Sequence, residues 1–192
     1  MKKEQIILKA IEILAKKGYA NTTTRMISER AGIAVGSLYT HFKSKDAILD
    51  HIFQNEYKKR AVYIDHLKEK ECKHIEKIGM FLDFHFDELG ENRDLMTVLV
   101  RESANPELQH LDGVKEFTEQ LPLFFKSILE KAMENGEIRK LNADLTAEII
   151  FSTIRGTVCG MAAKSEIQEL EKIKKELKKF INNAVKNQEE FK

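Results

Sequence analysis

Residues 31–46 read AGIAVGSLYTHFKSKD and place a phenol, an imidazole and an ammonium group in close succession. Tyr39, His41 and Lys45 all offer hydrogen-bond donors that suit phosphate oxygens. Such phosphate contacts hold a protein on nucleic acid without reading its sequence. The segment therefore indicates binding to a polyanion.

The residues just before these donors fit a surface that reads base edges. Two short helices joined by a tight turn at Gly32 form a helix-turn-helix, whose second helix lies in the major groove. Val35 can contact a thymine methyl there, and Ser37 can contact a base or a phosphate. Gly36 between them costs about 1 kcal/mol relative to alanine in a helix. Close approach of the helix to the groove explains that glycine.

The elements that position these residues are predicted to be helices throughout. Apolar residues recur at helical spacing, and caps mark the joints, which predicts an all-α chain of about nine helices with no convincing strand. The predicted domains are a helix-turn-helix DNA-binding domain over 1–46 and an effector-binding and dimerisation domain over 47–192. The predicted helices include a second one with Met26, Ile27 and Ala31 inward, a third over about Val35–His41, a fifth over about Cys72–Leu89, one that starts at Asn105-Pro106-Glu107 and is bent at Pro122, one over about Ala143–Ala163, and a last one that follows a capping box at Ser165–Gln168.

Composition limits the function classes. The 192 residues include only two prolines and two cysteines, and no apolar run approaches the roughly 18 residues of a membrane span. The two cysteines lack a CxxC partner, which predicts a reduced, cytoplasmic location. Residues 1–45 hold nine Lys or Arg against three Glu, a charge of +6, which leaves −5 for the rest of a chain with net charge +1. A basic head favours a polyanionic partner, although an uneven spread of solvated charges is the alternative.

Motifs for catalysis are absent from the sequence. It contains no P-loop, GxSxG, HExxH or CxxC pair, and its histidines do not have metal-ligand spacing. We therefore expect no enzyme activity, no metal and no cofactor.

The body of the chain is rich in phenylalanine, which predicts an apolar pocket for a hydrophobic effector. His85 falls within an apolar stripe and Arg155 on an otherwise apolar helix, so both are candidate polar contacts. The alternatives are that these residues are core, with His85 satisfied inside it and Arg155 in an internal or cross-dimer ion pair. The predicted ligand-binding residues are Phe81, His85, Met96, Val100, Phe117, Leu121, Phe125, Phe151 and Arg155.

The last two helices suggest a dimer. The stretch LTAEIIFSTIRGTVCGMAAK is apolar or small on nearly every face, so it must be covered on both sides. A second copy of the chain is the predicted cover, and wholly intramolecular burial is the alternative. The predicted interface residues are Ile149, Thr153, Gly156, Gly160, Leu170, Ile173, Leu177 and Phe180.

The run TTTRMISERAGIAVGSLYTHFKSKDAIL resembles the DNA-binding domain of the TetR family of bacterial transcriptional repressors. The shared features are the Thr-Thr start, the Ala-Gly-Ile turn, the Leu-Tyr-x-His-Phe helix and the Lys-x-Lys-Asp entry to the fourth helix. Ala34 departs from the pattern, because Ser or Asp is common at this N-cap. The positions that match the family's DNA contacts are Thr24, Arg25, Val35, Gly36, Ser37, Tyr39, His41 and Lys45.

The resemblance implies a homodimer that represses transcription until a small molecule binds. The body stretch LVRESANPELQHL and the later LNADLTAEIIFSTIRGTV look like FadR-type members that respond to fatty acyl-CoA. We therefore expect a cytoplasmic regulator that binds a palindromic double-stranded DNA operator and no membrane. Its expected effector is a small hydrophobic molecule, either a fatty acyl-CoA or another aromatic or lipophilic compound. The alternative is a helical small-molecule carrier or enzyme without DNA binding.

Overall fold

A computed structural model describes residues 2–164 and 169–187. Within these ranges the chain forms nine α-helices and one 3-10 turn, without a strand, as the sequence predicts. The predicted capping box at Ser165–Gln168 lies outside the described residues. The elements are α1 Lys2–Lys17, α2 Thr24–Ala31, α3 Val35–Tyr39, α4 Lys45–Glu69, α5 His74–Glu91, α6 Arg93–Ser103, a 3-10 turn Pro106–Leu108, α7 Asp112–Glu134, α8 Ala143–Lys164 and α9 Leu170–Val185.

The described chain divides into two compact units. Unit 1 comprises the described residues up to Lys58 together with Asn92–Phe117, and unit 2 comprises Lys59–Glu91 and the described residues from Thr118 onward. Unit 1 therefore holds the helix-turn-helix, α6 and the start of α7. No described helix is long and apolar enough to cross a membrane.

The core of unit 1 joins the helix-turn-helix to α4. Leu38 of α3 is fully buried and Phe42 is 5% exposed, so both point inward as the sequence predicts. Phe53 of α4 meets Phe117 edge to face, with ring centroids 5.6 Å apart. Met26 is only half-buried, whereas Ser28 is fully buried, so the inward face of α2 is rotated from the predicted one. Ser28 can be buried without an unpaired polar group because its hydroxyl donates to the Thr24 carbonyl at 2.7 Å.

The predicted start of α7 is wrong. The Asn105 side chain does accept from the Glu107 amide at 3.0 Å, but the chain makes only the 3-10 turn Pro106–Leu108. The Gln109 side-chain Nε2 donates to the Ser103 and Asn105 carbonyls at 3.1 Å each, which stabilises the turn instead of a continuing helix. The α-helix begins later, at Asp112, and contains Pro122. The predicted C-terminal end of α3 and the predicted start of α5 also shift by two residues, to Tyr39 and His74.

Unit 2 is built around clustered aromatic rings. Phe81 lies 5.3 Å from Phe124 and 5.4 Å from Phe125 between ring centroids, and it stacks on His85 at 5.6 Å. In this unit α9 packs on α5 and on α8. Because α9 buries only Leu170, Leu177, Ile181 and Val185, most of its charged surface stays outside.

Candidate nucleic-acid interface

The turn between α2 and α3 is fixed by caps at both ends of α2. Thr23 caps its N-terminus by accepting from the Met26 amide at 3.2 Å. Gly32 ends it at φ 66°, in the left-handed region that glycine adopts most easily. The following amide of Ile33 donates to the Ser28 carbonyl at 3.0 Å, which closes the turn. These bonds set the direction in which α3 leaves α2.

α3 presents small, exposed groups to solvent. Val35 and Gly36 are exposed and Ser37 is half-exposed, whereas Leu38 points into the core. A Cβ added at Gly36 would meet nothing within 4 Å, and its φ is not in the left-handed region. The chain's own fold therefore does not require glycine at this position. Ala34 precedes α3 without a side-chain cap, as the sequence predicts.

A hydroxyl contact ties α2 to α3. The Thr24 Oγ1 and Tyr39 Oη atoms are 3.1 Å apart, and half of the Tyr39 side chain remains exposed. The neighbouring Arg25 is 81% exposed and its Nε donates to Glu29 Oε1 at 2.8 Å. That hydrogen bond raises the pKa of Arg25. The structure thus brings Thr24 and Tyr39 together, beside an exposed guanidinium.

Two exposed residues near α3 are absent from the DNA contacts predicted from the sequence. Thr40 and Lys43 are both exposed, in the same segment as the exposed His41. Alternation with the buried Leu38 and Phe42 is the signal that could have found them, because residues between buried positions face solvent. The Thr40 hydroxyl donates to the Ser37 carbonyl at 2.7 Å.

Lys45 is turned inward and holds the start of α4. Its Nζ donates to the Tyr19 carbonyl at 2.6 Å and lies 3.9 Å from the Tyr19 ring centroid. Burial lowers the pKa of Lys45. The Tyr19 hydroxyl donates to Asp46, and burial together with that carboxylate raises the pKa of Tyr19. Lys45 therefore joins the loop after α1 to α4.

Arg101 and Glu102 of α6 also hold the end of α1 and the loop after it, and the sequence analysis did not predict these contacts. The Arg101 guanidinium donates to the Ala15 carbonyl at 3.1 Å and to the Leu14 carbonyl, at the C-terminal end of α1. A cation is favourable at this end of a helix because of its dipole. The buried Glu102 carboxylate accepts from Arg101 Nε at 2.7 Å and from the Tyr19 amide at 3.1 Å. No short-range motif announces this contact, because the partners are more than eighty residues apart in the chain.

The predicted ligand-binding residues are nearly all buried, and they fall in both units. Met96, Val100 and Phe117 belong to unit 1 and the others to unit 2. Arg155 is half-buried, with its guanidinium carbon 5.5 Å from the Phe151 ring centroid. Burial, with the Arg60 charge, lowers the pKa of His85, which favours a neutral imidazole. The buried members are Phe81, His85, Met96, Val100, Phe117, Leu121, Phe125 and Phe151.

The predicted dimer residues divide into exposed and buried groups. On α8, Ile149 is 60% exposed, Gly156 and Gly160 are exposed, and Thr153 is half-buried. On α9, Phe180 is 58% exposed and Ile173 is half-buried. Leu170 and Leu177 are each 6% exposed within the chain itself.

This arrangement defines a helix-turn-helix protein of the DNA-binding class, and comparison with known families agrees. The model of bacterial regulatory proteins of the tetR family matches residues 6–52, and that of the tetracyclin repressor-like C-terminal domain matches residues 71–158. The chain belongs to the TetR family, and it is a DNA-binding transcriptional regulator, not an enzyme.

Individual relatives extend this likeness over most of the chain. The fatty acid metabolism regulator protein of Bacillus subtilis is 29% identical over 158 residues, which cover 80% of each protein. The crystal structure of the transcriptional regulator FadR from Bacillus subtilis with stearoyl-CoA matches with a TM-score of 0.81 and 27% identity, over 93% of this chain and 96% of the other. The fatty acid degradation regulator FadR from Bacillus halodurans has the same fold, with a TM-score of 0.83 over 94% of each chain and 24% identity.

Proposed function

We propose that the protein is a repressor that binds a palindromic operator as a homodimer and leaves it when a small hydrophobic effector binds. The main observation in favour of DNA binding through α3 is the exposed position of Gly36. This helical glycine has open space around it. A glycine in a helix costs about 1 kcal/mol relative to alanine. Close approach of α3 to a major groove accounts for that cost.

Within this face the roles divide between reading and holding. Val35, Gly36 and Ser37 face the bases in our proposal, because they are the early residues of the second helix. Tyr39 and His41 hold phosphates through exposed polar groups. Thr24 and Arg25 add contacts from the N-terminus of α2, where backbone amides and the helix dipole attract anions.

Lys45 takes a different part in this proposal. Its ammonium group donates to the Tyr19 carbonyl, so it orients the start of α4 in the free protein. A direct contact with phosphate requires the side chain to leave that carbonyl. We expect Lys45→Ala to weaken binding to every DNA sequence alike, because either role acts without reading bases.

The proposed dimer contact is the exposed face of α8, extended by α9. Leu145 and Ile149 are 62% and 60% exposed, which is unusual for large apolar side chains on one helix face. Gly156 and Gly160 follow on that helix, and a Cβ at either would meet nothing within 4 Å. Small residues let a partner helix approach closely, and Phe180 of α9 adds an exposed ring. Leu170, Ile173 and Leu177 then support this surface from α9, while Thr153 lies between the α8 positions.

The proposed effector class is a small hydrophobic molecule such as a fatty acyl-CoA. A FadR relative carries stearoyl-CoA in its crystal structure, which supports a long acyl chain as the first candidate. Unit 2 offers an apolar interior for such a chain, because Phe81, His85 and Phe125 meet in one buried aromatic cluster. Leu121, Phe151 and Arg155 are the other proposed contacts of this unit.

The functional division in this proposal is DNA binding by residues 1–46 and effector binding and dimerisation by 47–192. A protein that acts on the operators of its own genome works in the cytoplasm, and we place it there.

Effector binding shifts the population between two separations of the two DNA-binding domains of the dimer. Only one separation fits half-sites about one helical turn (~34–36 Å) or more apart.

DNA binding is tested with the region upstream of the protein's own gene, titrated at several salt concentrations. We expect affinity that falls steeply with salt, because phosphate contacts release counterions. Tyr39→Ala should weaken all duplexes by similar factors, whereas Ser37→Ala should change the preference among operator variants. Absence of salt-dependent affinity for any DNA would overturn the function and favour the carrier alternative.

The effector is tested by adding stearoyl-CoA, stearate or free coenzyme A to the operator complex. We expect stearoyl-CoA to release the DNA and free coenzyme A to leave it bound. Native mass spectrometry of the purified protein provides a second readout, the mass of any co-purified ligand. Release by none of the three, with no ligand detected, would contradict the effector class while leaving DNA binding intact.

A further inference from the structure

The start of α1 lies against the turn that joins α3 to α4. The Lys3 ammonium group stands over the Phe42 ring, 5.3 Å from the ring centroid. Phe42 is 5% exposed, whereas its neighbours His41 and Lys43 are both exposed, and so is Lys3. The fold thus brings a basic side chain of α1 beside two basic side chains that follow the second helix of the helix-turn-helix.

Acids do not pair with the basic groups at this turn in the described part of the chain. Within residues 2–164 and 169–187, Lys3, His41 and Lys43 form no ion pair. Their exposed positive charge therefore remains available to an anion. Other cations of the DNA-binding domain are already paired, namely Lys9 and Arg30 with Glu12, and Arg25 with Glu29.

His51 of α4 packs against the same aromatic ring, at 5.6 Å between centroids, and does not change this balance. Burial, and then the Lys3 charge, lower the pKa of His51, which favours a neutral imidazole. The adjacent Asp50 carboxylate opposes this shift, but its two oxygens are engaged elsewhere. They accept from the Gly113 amide at 2.6 Å and from Gln54 Nε2 at 3.0 Å.

The contact with Phe42 fixes the place of Lys3 without neutralising its charge. A cation over a ring face is attracted by the quadrupole of the ring, and an ammonium group has three N–H donors. Lys3 can therefore donate to a phosphate oxygen while its side chain stays on the ring. Because no described carboxylate pairs with Lys3, phosphate binding does not have to break an ion pair.

We propose that Lys3 and Lys43 form a further phosphate-binding site, which flanks His41 and binds the backbone of double-stranded DNA beside the groove that α3 enters. The inference rests on the proposed role of His41 as a phosphate contact. Lysine ammonium groups bind phosphates as point charges, and such contacts fix the register of a protein on the duplex without reading bases. The site extends the DNA-facing surface from the helix-turn-helix to the first turn of α1.

The test measures the affinity of full-length variants for two duplexes at several salt concentrations. One duplex is enriched from a random pool by the wild-type protein, and the other is a scrambled sequence of the same length and composition. Lys3→Ala should weaken binding to both duplexes by a similar factor, about tenfold at low salt, the size of one hydrogen bond to a charged group. The slope of log affinity against log salt should become shallower by about 0.9 for each lost contact, or about 1.8 for a dimer. Lys43→Ala should change both quantities in the same direction.

Lys9→Ala is the matched control, because it removes the same charge from the same helix and Lys9 already pairs with Glu12 at 2.5 Å. It should keep the wild-type salt slope and lose less affinity than Lys3→Ala. Lys3→Arg retains the positive charge and should retain the wild-type salt slope. Circular dichroism melting should give all four variants the wild-type unfolding midpoint, because exposed substitutions change stability little.

A second measurement locates the contact on the DNA. Single phosphates of the enriched duplex are replaced in turn by uncharged methylphosphonates. One such position should weaken binding of the wild type and of Lys9→Ala, whereas Lys3→Ala should be insensitive there and keep the wild-type response at the other positions. This result reports a contact between one side chain and one phosphate, which a purely structural role of Lys3 would not produce.

Equal losses of affinity and equal salt slopes for Lys3→Ala and Lys9→Ala would overturn the inference, since only the total charge would then matter. It is also overturned if Lys3→Arg loses as much affinity as Lys3→Ala, or if no methylphosphonate position distinguishes Lys3→Ala from the wild type. These outcomes leave DNA binding by the regulator intact. A wild-type protein that enriches no sequence and shows no salt-dependent affinity for DNA instead overturns the proposed function, and this inference with it.

Discussion

The Asp50 carboxylate of α4 accepts a hydrogen bond of 2.6 Å from the Gly113 amide, at the start of α7. An acid at this end of a helix is favoured by the exposed amides and the dipole. The two backbones also approach closely here. A Cβ at Gly113 would lie 2.5 Å from the Asp50 carbonyl oxygen and 2.8 Å from the Gln54 amide nitrogen. Gly113 is therefore required by packing inside unit 1.

Gly113→Ala should destabilise the protein by about 1–3 kcal/mol, because the backbone of α4 would have to shift to admit the methyl group. The measurement is the free energy of unfolding in urea at fixed protein concentration. Gly79→Ala is the matched control, since a Cβ there meets only the flexible end of Lys178, at 3.3 Å. That control should be neutral or stabilising by up to about 1 kcal/mol. Equal stability of the two variants would contradict the packing argument.

Gly36 and Gly32 should respond to alanine in opposite ways. Gly36→Ala should leave the fold intact or stabilise it by about 0.5–1 kcal/mol, because the site is helical and open. Its affinity for operator should nonetheless fall at least about tenfold, because the added methyl group would hold α3 away from the groove. Gly32→Ala should cost about 1–2 kcal/mol of stability, since φ is 66° there. Full operator affinity in Gly36→Ala would contradict the role given to that glycine.

The sequence was sufficient for the helix-turn-helix because its signals are local. Gly32 at the turn and the inward Leu38 and Phe42 all follow from residues a few positions apart. Lys45 shows where this reasoning stops. Its contact with the Tyr19 carbonyl joins residues 26 positions apart, and the composition of either segment does not reveal it. Nothing in the sequence indicates which direction a half-buried lysine takes.

The start of α7 illustrates a second kind of limit. Asn105 and Pro106 form a genuine start signal, and the structure uses it for a 3-10 turn only. A capping residue marks where a helical turn can begin, whereas tertiary packing determines how long the helix becomes. The long helix begins instead at Asp112, next to the point where Gly113 contacts Asp50. For the same reason Arg101 and Glu102 could not be assigned to the end of α1 from their spacing.

Glu137 should make stability depend on acid pH. Its side chain is 11% exposed, and burial by itself would raise the pKa. Hydrogen bonds outweigh burial: Glu137 meets His74 Nδ1 at 2.9 Å and accepts from the Ile75 amide at 3.1 Å, which brings the pKa from 4.5 to about 2. Because the folded-state pKa is below the unfolded one, the stabilisation is complete above about pH 5 and is lost as pH falls toward 2.

Glu137→Gln should therefore be less stable than wild type by about 1–3 kcal/mol at pH 7, the range for hydrogen bonds to a charged group. The difference should shrink between about pH 5 and pH 2, when the wild-type carboxylate becomes protonated. Urea unfolding across this range is the measurement. Glu176→Gln is a suitable control, because the Glu176 carboxylate pairs with Lys179 at the surface, where solvent screens the interaction. A difference that does not vary with pH would contradict the assigned cause.

The exposed face of α8 should hold the dimer together. Ile149→Glu should raise the dimer dissociation constant roughly tenfold or more, because it buries a carboxylate without a partner. Native mass spectrometry over a dilution series measures this constant. Val62→Glu is the control, since Val62 is 64% exposed on α4, outside the proposed contact.

A short bismaleimide should also link two subunits through the exposed Cys159, which lies between Gly156 and Gly160 in the sequence. That product should survive Cys72→Ser and disappear in Cys159→Ser, and a dimer that tolerates Ile149→Glu would place the interface elsewhere.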